Sequence, residues 1–306
     1  MQEKASRNKT LCLTKQEQAD LAARAITLKK RETLNKIKDS VIWQDMFEAI
    51  DLLPEKCVDL MIVDPPYNMT KNFGNSSFKT MSEQQYAKWL DSWLKKTVRI
   101  LKDNASIYIC TDWKSSISVP FVAGKYFCLQ NRISWEREKG RGAAKNWKNC
   151  LEDIWFFTKS KDYKFNIDAV KVLRPVLAPY KDNKGKPKDW FESKQQKMRL
   201  TCPSNIWTDI SVPFWSMAEN TPHPTQKPEK LIAKLILASS DEGDLVFDPF
   251  LGSGTTAVVA KKLKRHFIGI EKEKEYVAYA IKRLAMANKN PEIQGFKDGI
   301  FCHRNM

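Results

Sequence analysis

The chain has 306 residues, 42% of them hydrophobic, enough for one large α/β domain or a domain with a sizeable insert. No run approaches ~18 apolar residues and the start, MQEKASRNKTLCLTKQEQ, has no apolar signal core, so neither a transmembrane helix nor a secretory route is expected and the chain reads as cytoplasmic. Lys and Arg number 52 against 36 Asp and Glu, a net +16 that speaks of polyanionic partners more than of fold.

Along the chain, residues 1–13 are polar, and Thr14-Lys15-Gln16-Glu17 is a capping box opening a helix that good helix formers extend to about Lys38. SVIW (40–43) reads as a short strand and DMFEAIDLL as a helix. VDLMIV (58–63) is a buried strand that runs into Asp64. The polar NMTKNFGNSSFKT reads as a mobile loop. SEQQYAKWLDSWLKKTVRILK sets Tyr86, Leu90, Trp93, Leu94, Val98 and Leu101 on one side of a helix. ASIYIC (105–110), QNRISW (130–135) and DIWFFTK (153–159) are further strands.

Periodicity then lapses over 160–216, where PYKDNKGKPKDW is the clearest breaker cluster. Regular order returns with KPEKLIAKLILASS (helix), DLVFD (244–248, strand), GTTAVVAKKLK (helix), RHFIGIE (265–271, strand) and KEYVAYAIKRLAMA (helix). Strands alternating with helices imply an α/β fold whose mostly parallel sheet is covered on both faces. The expected organisation is an N-terminal helical extension (1–39), one half of a core (40–159), an inserted recognition segment (160–216), a second core half (217–287) and a tail (288–306).

Residues 137–200 hold 17 Lys/Arg against 8 Asp/Glu, interleaved with Trp147, Trp155, Tyr163, Tyr180 and Trp190. A basic stretch dotted with aromatic rings suits a polyanion with stackable bases. Seven cysteines include no C-x-x-C pair, and there are three histidines, so no zinc site, disulfide framework, histidine metal cluster or serine triad is expected.

Two motifs carry chemistry. Asp64-Pro65-Pro66-Tyr67 follows a buried strand; two prolines end the strand and form a stiff corner that fixes a carboxylate, a carbonyl and a ring. DLVFDPFLGSGTTAVVAKKL is a strand, a glycine turn and a helix. Gly252-Ser253-Gly254-Thr255-Thr256-Ala257 also fits a dinucleotide pattern, but Asp248 at the mouth is ill placed against a pyrophosphate and well suited to a cationic ligand. S-adenosylmethionine carries an ammonium and a sulfonium and no phosphate. Glu271 closes the next strand, 23 residues on, where it can accept from ribose hydroxyls. Both motifs end apolar strands, so both fall at the carboxyl edge of one sheet. Asp64 and the Pro65 carbonyl can accept the two N–H groups of a nucleobase amine and aim its lone pair at the donor methyl, with Tyr67 stacked on the base. Neither a metal nor a covalent intermediate is required. The base must leave the duplex to arrive there.

With these residues the chain resembles the β-group DNA amino-methyltransferases, the adenine-N6 and cytosine-N4 enzymes, over roughly residues 40–285. The order Asp64–Tyr67, basic insert, HPTQKPEKL, DPFLGSGTT and GIE matches the family. The resemblance implies a Rossmann-like, S-adenosylmethionine-dependent methyltransferase fold with an inserted target-recognition segment. It implies Asp64, Pro65, Pro66 and Tyr67 as catalytic residues. It implies donor contacts from Asp45, Asp64, Pro65, Thr225, Gln226, Lys227, Asp248, Phe250, Gly252, Ser253, Gly254 and Glu271, with Lys227 toward the methionine carboxylate. Arg137, Lys139, Arg141, Lys145 and Lys148 are the candidates for the DNA face.

Cytosine-N4 members usually carry Ser where this chain has Asp64, which tilts the reading to adenine N6, with cytosine N4 and RNA as alternatives. The implied protein is a sequence-specific modification enzyme of a prokaryotic restriction-modification system. It acts on double-stranded DNA at the nucleoid; a separately acting cognate endonuclease and a homodimer are both open. A catalytically silent DNA-binding protein is the alternative of another class. A nicotinamide oxidoreductase explains neither Asp64–Tyr67 nor the charge. The helix before residue 40 lies outside the shared core, with DNA clamping and dimer support as its open roles.

Overall fold

The computed structural model describes residues 7–74, 76–137, 144–175, 181–186, 190–192 and 197–302. The capping box forms at Thr14 and opens α1 (Lys15–Ala22). The long helix expected to Lys38 is not formed. Residues after Ala22 turn extended, and α2 (Leu34–Ile37) is a single turn. The competing partner is the edge of strand β1 (Ser40–Trp43). Ile26 N donates to Val41 O at 3.0 Å and Trp43 N to Ile26 O at 2.9 Å, so a sheet edge with unpaired backbone outweighs helix propensity.

After α3 (Met46–Ala49) and a 3-10 turn comes β2 (Val58–Val63). The expected loop at 68–80 contains a hairpin of β3 (Lys71–Phe73) and β4 (Ser76–Phe78). Next are α4 (Glu83–Thr97), capped by Ser82, then β5 (Leu101–Asp112), α5 (Ser118–Ala123), β6 (Cys128–Glu136) and β7 (Leu151–Thr158). Helix α5 is too short to show a periodic pattern. Its Pro120 is tolerated because it falls in the first turn, where an N–H would have no helical partner.

The insert carries β8 (Val172–Pro175), β9 (Trp190–Glu192), β10 (Lys197–Thr201) and β11 (Ile206–Trp207). The returning α/β order gives α6 (Glu229–Ser239), β12 (Leu245–Asp248), α7 (Thr255–Lys262), β13 (His266–Glu271) and α8 (Lys274–Ala287). Strands β14 (Phe296–Lys297) and β15 (Ile300–Cys302) follow. Among the described residues no helix is long and apolar enough to cross a membrane.

The main sheet has the order β1-β13-β12-β2-β5-β7-β6-β11. From β1 to β5 every pair is parallel; β7 runs antiparallel to both neighbours, β5 and β6, and β11 is parallel to β6. Alternate residues of β2 point to opposite faces, as strand geometry requires. Leu60 and Ile62 join a core with α6, α7 and α8, while Met61 and Val63 join one with α3, α4 and α5. Both faces are therefore covered. A second sheet, β14-β15-β8-β10-β9, is built from the insert and the tail together, an arrangement that the lapse in periodicity over 160–216 conceals.

Insert and core are joined by a buried ion cluster. Lys234 Nζ lies 2.8 Å from both carboxylate oxygens of Asp209, and Lys230 Nζ lies 3.0 Å from Asp209 Oδ2 and 2.8 Å from its carbonyl. Lys234 is 2% exposed, and burial pushes its ammonium down to about 8 despite the Asp209 carboxylate.

Candidate active site

Because β1, β13, β12 and β2 are parallel, the residues that leave their carboxyl ends meet on one edge. There Asp45, Glu271, Asp248 and Asp64 line one cavity of about 290 Å³. The antiparallel β7 adds its amino end to the same edge, since Glu152 pairs in register with Asp112, the last residue of β5.

The acceptor end is the corner after β2. Tyr86 Oη donates to the Pro66 carbonyl at 2.9 Å, and Asn68 N donates to Ser115 Oγ at 2.8 Å, so α4 and the segment after β5 hold the turn. Tyr67 Oη lies 2.8 Å from Asp64 Oδ1 and 3.2 Å from Glu152 Oε2. Burial, with Asp64 and Glu152 beside it, keeps this phenol protonated well above its usual range. Lys227 Nζ lies 2.6 Å from Asp64 Oδ2, 3.1 Å from Tyr67 Oη and 3.3 Å from Glu152 Oε2. Burial works against its charge, but Asp64 and Glu152 more than offset this and hold the ammonium above its usual range. Arg137 Nη1 completes the group by donating to Glu152 Oε1.

The donor end is the glycine turn together with the start of α3. Asp45 Oδ1 accepts from Phe47 N at 2.8 Å as the cap of α3, and Asp248 Oδ1 accepts from Phe250 N at 3.0 Å. Asp248 is 4% exposed, and burial pushes its carboxyl up to about 7 although Thr256 and the Phe250 amide hydrogen-bond to it. Glu271 accepts from Gly252 N and Glu273 N, both at 2.8 Å, and burial pushes it up to about 7 as well.

Gly252 has φ +54°, and a Cβ there would stand 2.9 Å from His223 Nε2. Gly254 has φ +88°, and its Cβ would stand 2.7 Å from the Ala280 methyl, so α7 and α8 touch through a missing side chain. Arg283, from α8, fixes the turn by donating to Ser253 O at 2.9 Å, Thr255 Oγ1 at 3.0 Å and Glu229 Oε1 at 3.0 Å. The ring of Phe250 packs edge-on to Trp93, 5.4 Å between centroids.

Of the residues expected at the site, Asp45, Asp64, Pro65, Pro66, Tyr67, Thr225, Gln226, Lys227, Asp248, Phe250, Gly252, Ser253 and Glu271 line the cavity, and Gly254 lies behind it against α8. Gln226 bonds within its own segment, accepting from Thr221 N and donating to Glu219 O. Lys227, expected toward the methionine carboxylate, has its ammonium turned to Asp64 and Glu152. Arg137, expected on the DNA face, lines the cavity and pairs with Glu152. Lys145 and Lys148 are exposed; Lys139 and Arg141 lie outside the described residues.

Glu152 and His223 are site residues that sequence reasoning misses. Only the antiparallel pairing of β7 brings Glu152 to this edge, and nothing local in the sequence signals that pairing. His223 stands in HPTQKP, a stretch marked by the family resemblance, but its packing depends on α8. Its ring meets Tyr276 edge-on at 4.3 Å, and burial, aided by Lys227, lowers it to about 3, so it is neutral at pH 7. Among the described residues no group of His, Cys, Asp and Glu can hold a metal ion.

The residues fit a cationic nucleoside donor. A buried acid, Asp248, and a half-buried one, Glu271, face the cavity at the donor end, and the close approach at Gly252 leaves backbone, not side chain, at its wall.

The DNA methylase family model matches residues 58–282. Type II methyltransferase M.HpaI of Haemophilus parainfluenzae is 35% identical over 261 residues, 84% of this chain and 76% of that protein. DNA adenine methyltransferase YhdJ of Escherichia coli is 35% identical over 256 residues, 81% of this chain and 83% of that protein. In fold, the chain is similar to the PvuII DNA methyltransferase (cytosine-N4-specific), with a TM-score of 0.60 and 21% identity over 80% of this chain and 85% of that one. The chain therefore belongs to the N6/N4 DNA methylase family, whose methyl donor is S-adenosylmethionine.

Proposed function

We propose that the protein is a sequence-specific DNA adenine-N6 methyltransferase acting on a base flipped out of duplex DNA, as the modification enzyme of a restriction-modification system whose endonuclease is a separate protein. The observation that carries this reading is the junction of Asp64–Tyr67 with the glycine turn in one cavity at one sheet edge. S-adenosylmethionine supplies an electrophilic methyl on a sulfonium. Asp248 would accept from its cationic end, Glu271 would accept from ribose hydroxyls, and Asp45 would approach its adenine.

At the other end, Asp64 and the Pro65 carbonyl accept the two N–H groups of the target amine. That pairing favours a pyramidal nitrogen whose lone pair points along the transfer direction. Tyr67 stacks on the flipped base; as the N–C bond forms the methyl–sulfur bond breaks, leaving a neutral thioether, and the surplus amine proton passes to Asp64. Lys145 and Lys148 lie on the DNA face.

Asp64, where cytosine-N4 members usually carry Ser, supports adenine, and so does the likeness to an adenine methyltransferase over four-fifths of the chain. The fold likeness to a cytosine-N4 enzyme keeps N4 transfer as the second reading. The test is incubation of unmethylated genomic DNA with isotope-labelled S-adenosylmethionine, followed by nucleoside mass spectrometry. Labelled N6-methyladenine is the expected product. Labelled N4-methylcytosine would overturn the base assignment, and absence of label from DNA would overturn the function.

A further inference from the structure

We propose that Lys227 reads the ring nitrogen next to the reacting amine, so that Asp64 and Lys227 together recognise an amidine edge on the flipped base: an amino group on a carbon doubly bonded to a ring nitrogen. This deepens the methyl-transfer reading and rests on it. The ammonium has three N–H donors and no acceptor. One is committed to Asp64 Oδ2 at 2.6 Å; the other two reach Tyr67 Oη and Glu152 Oε2 at the longer distances of 3.1 and 3.3 Å. Either long bond can be exchanged for a ring nitrogen without separating Lys227 from Asp64.

Asp64 Oδ2 retains a second acceptor position for the amine N–H. The amine and its neighbouring ring nitrogen then close a ring with one carboxylate oxygen and one ammonium. Adenine (N6 with N1) and cytosine (N4 with N3) both present this donor–acceptor edge. Thymine, and guanine on its O6–N1 edge, present a carbonyl beside a ring N–H, the reverse polarity, and in the same pose would set acceptor against acceptor and donor against donor; guanine's N2–N3 amidine edge is told apart by its different placement relative to the sugar.

Glu152 and Arg137 are positioning residues for this contact. With Asp64 and Lys227 they pair two acids with two cations at the acceptor end of the cavity, which holds the ammonium in place. Thr255 Oγ1 donates to the Lys227 carbonyl at 3.1 Å and ties the same residue to the donor turn.

The experiment uses the full chain, duplexes carrying the mapped recognition sequence, and single-turnover transfer. The target position holds adenine, 1-deazaadenine or 7-deazaadenine. Removing N1 makes the amine more electron-rich, so intrinsic reactivity would raise the rate. The expected result is instead a loss of about 10- to 100-fold for 1-deazaadenine, as for a lost hydrogen bond to a charged group, with 7-deazaadenine close to adenine. In Lys227→Gln the penalty for 1-deazaadenine should shrink to about twofold, since the charged donor it depends on is gone.

Transfer to 1-deazaadenine at the adenine rate would overturn the proposal, and so would an undiminished penalty in Lys227→Gln. Should that variant fail to fold, the comparison in the unaltered protein still decides. If the product is N4-methylcytosine, 3-deazacytosine takes the place of 1-deazaadenine. Failure on the unmodified duplex is a separate outcome and overturns the methyl-transfer reading itself.

Discussion

Asp64 is the residue on which transfer depends. Replacing it with Ala removes the acceptor for the target amine and leaves Lys227 without its shortest partner. Transfer should fall at least about 10³-fold while DNA binding persists, because a preorganised electrostatic contact is lost but the phosphate contacts are not. Single-turnover methylation and a binding titration on one preparation check this. Asp248 and Glu271 make a second prediction. Both acids are pushed up to about 7 by burial. In the free protein, folding therefore favours their protonated forms, a contribution full below about pH 4 and lost as pH rises through 7. Donor binding has the opposite sign, since an ammonium and ribose hydroxyls pair with the ionised acids. Donor affinity should rise several-fold between about pH 6 and 8, with proton release seen by calorimetry in buffers of differing ionisation enthalpy. Asp248→Asn should flatten that profile.

Among the elements, α7 and α8 approach through Gly254. Gly254→Ala places a methyl 2.7 Å from the Ala280 side chain in a left-handed conformation. The two faults together should cost about 2–4 kcal/mol, read from chemical denaturation. The insert is fixed to α6 by Asp209. Asp209→Leu leaves the buried Lys230 and Lys234 without their carboxylate, and a loss of about 3–5 kcal/mol is expected. These contacts are not legible in sequence, because each joins residues far apart in the chain. The helix formers up to Lys38 carry real propensity, but the open edge of β1 takes the segment at Ile26. The strand runs VDLMIV, DLVFD and RHFIGIE are legible because buried parallel strands are short continuous apolar runs.

For the whole molecule, the net charge of +16 predicts steeply salt-dependent DNA binding. Replacing the exposed Lys145 and Lys148 with Ala should lessen the slope of log affinity against log salt by about 2, at about 0.9 per phosphate contact, measured by titration across salt concentrations. The sequence by itself determined the α/β alternation, the corner at Asp64–Tyr67, the glycine turn after Asp248 and the acid at Glu271. Each of these is set locally, by apolar runs that end in residues with restricted or permissive backbones. Tertiary structure decided which side chains share a cavity. The antiparallel β7 delivers Glu152 beside Tyr67, and the chain before α6 turns Lys227 toward Asp64. Strand direction and the burial of an ammonium depend on partners distant in the chain, and local sequence carries no record of them.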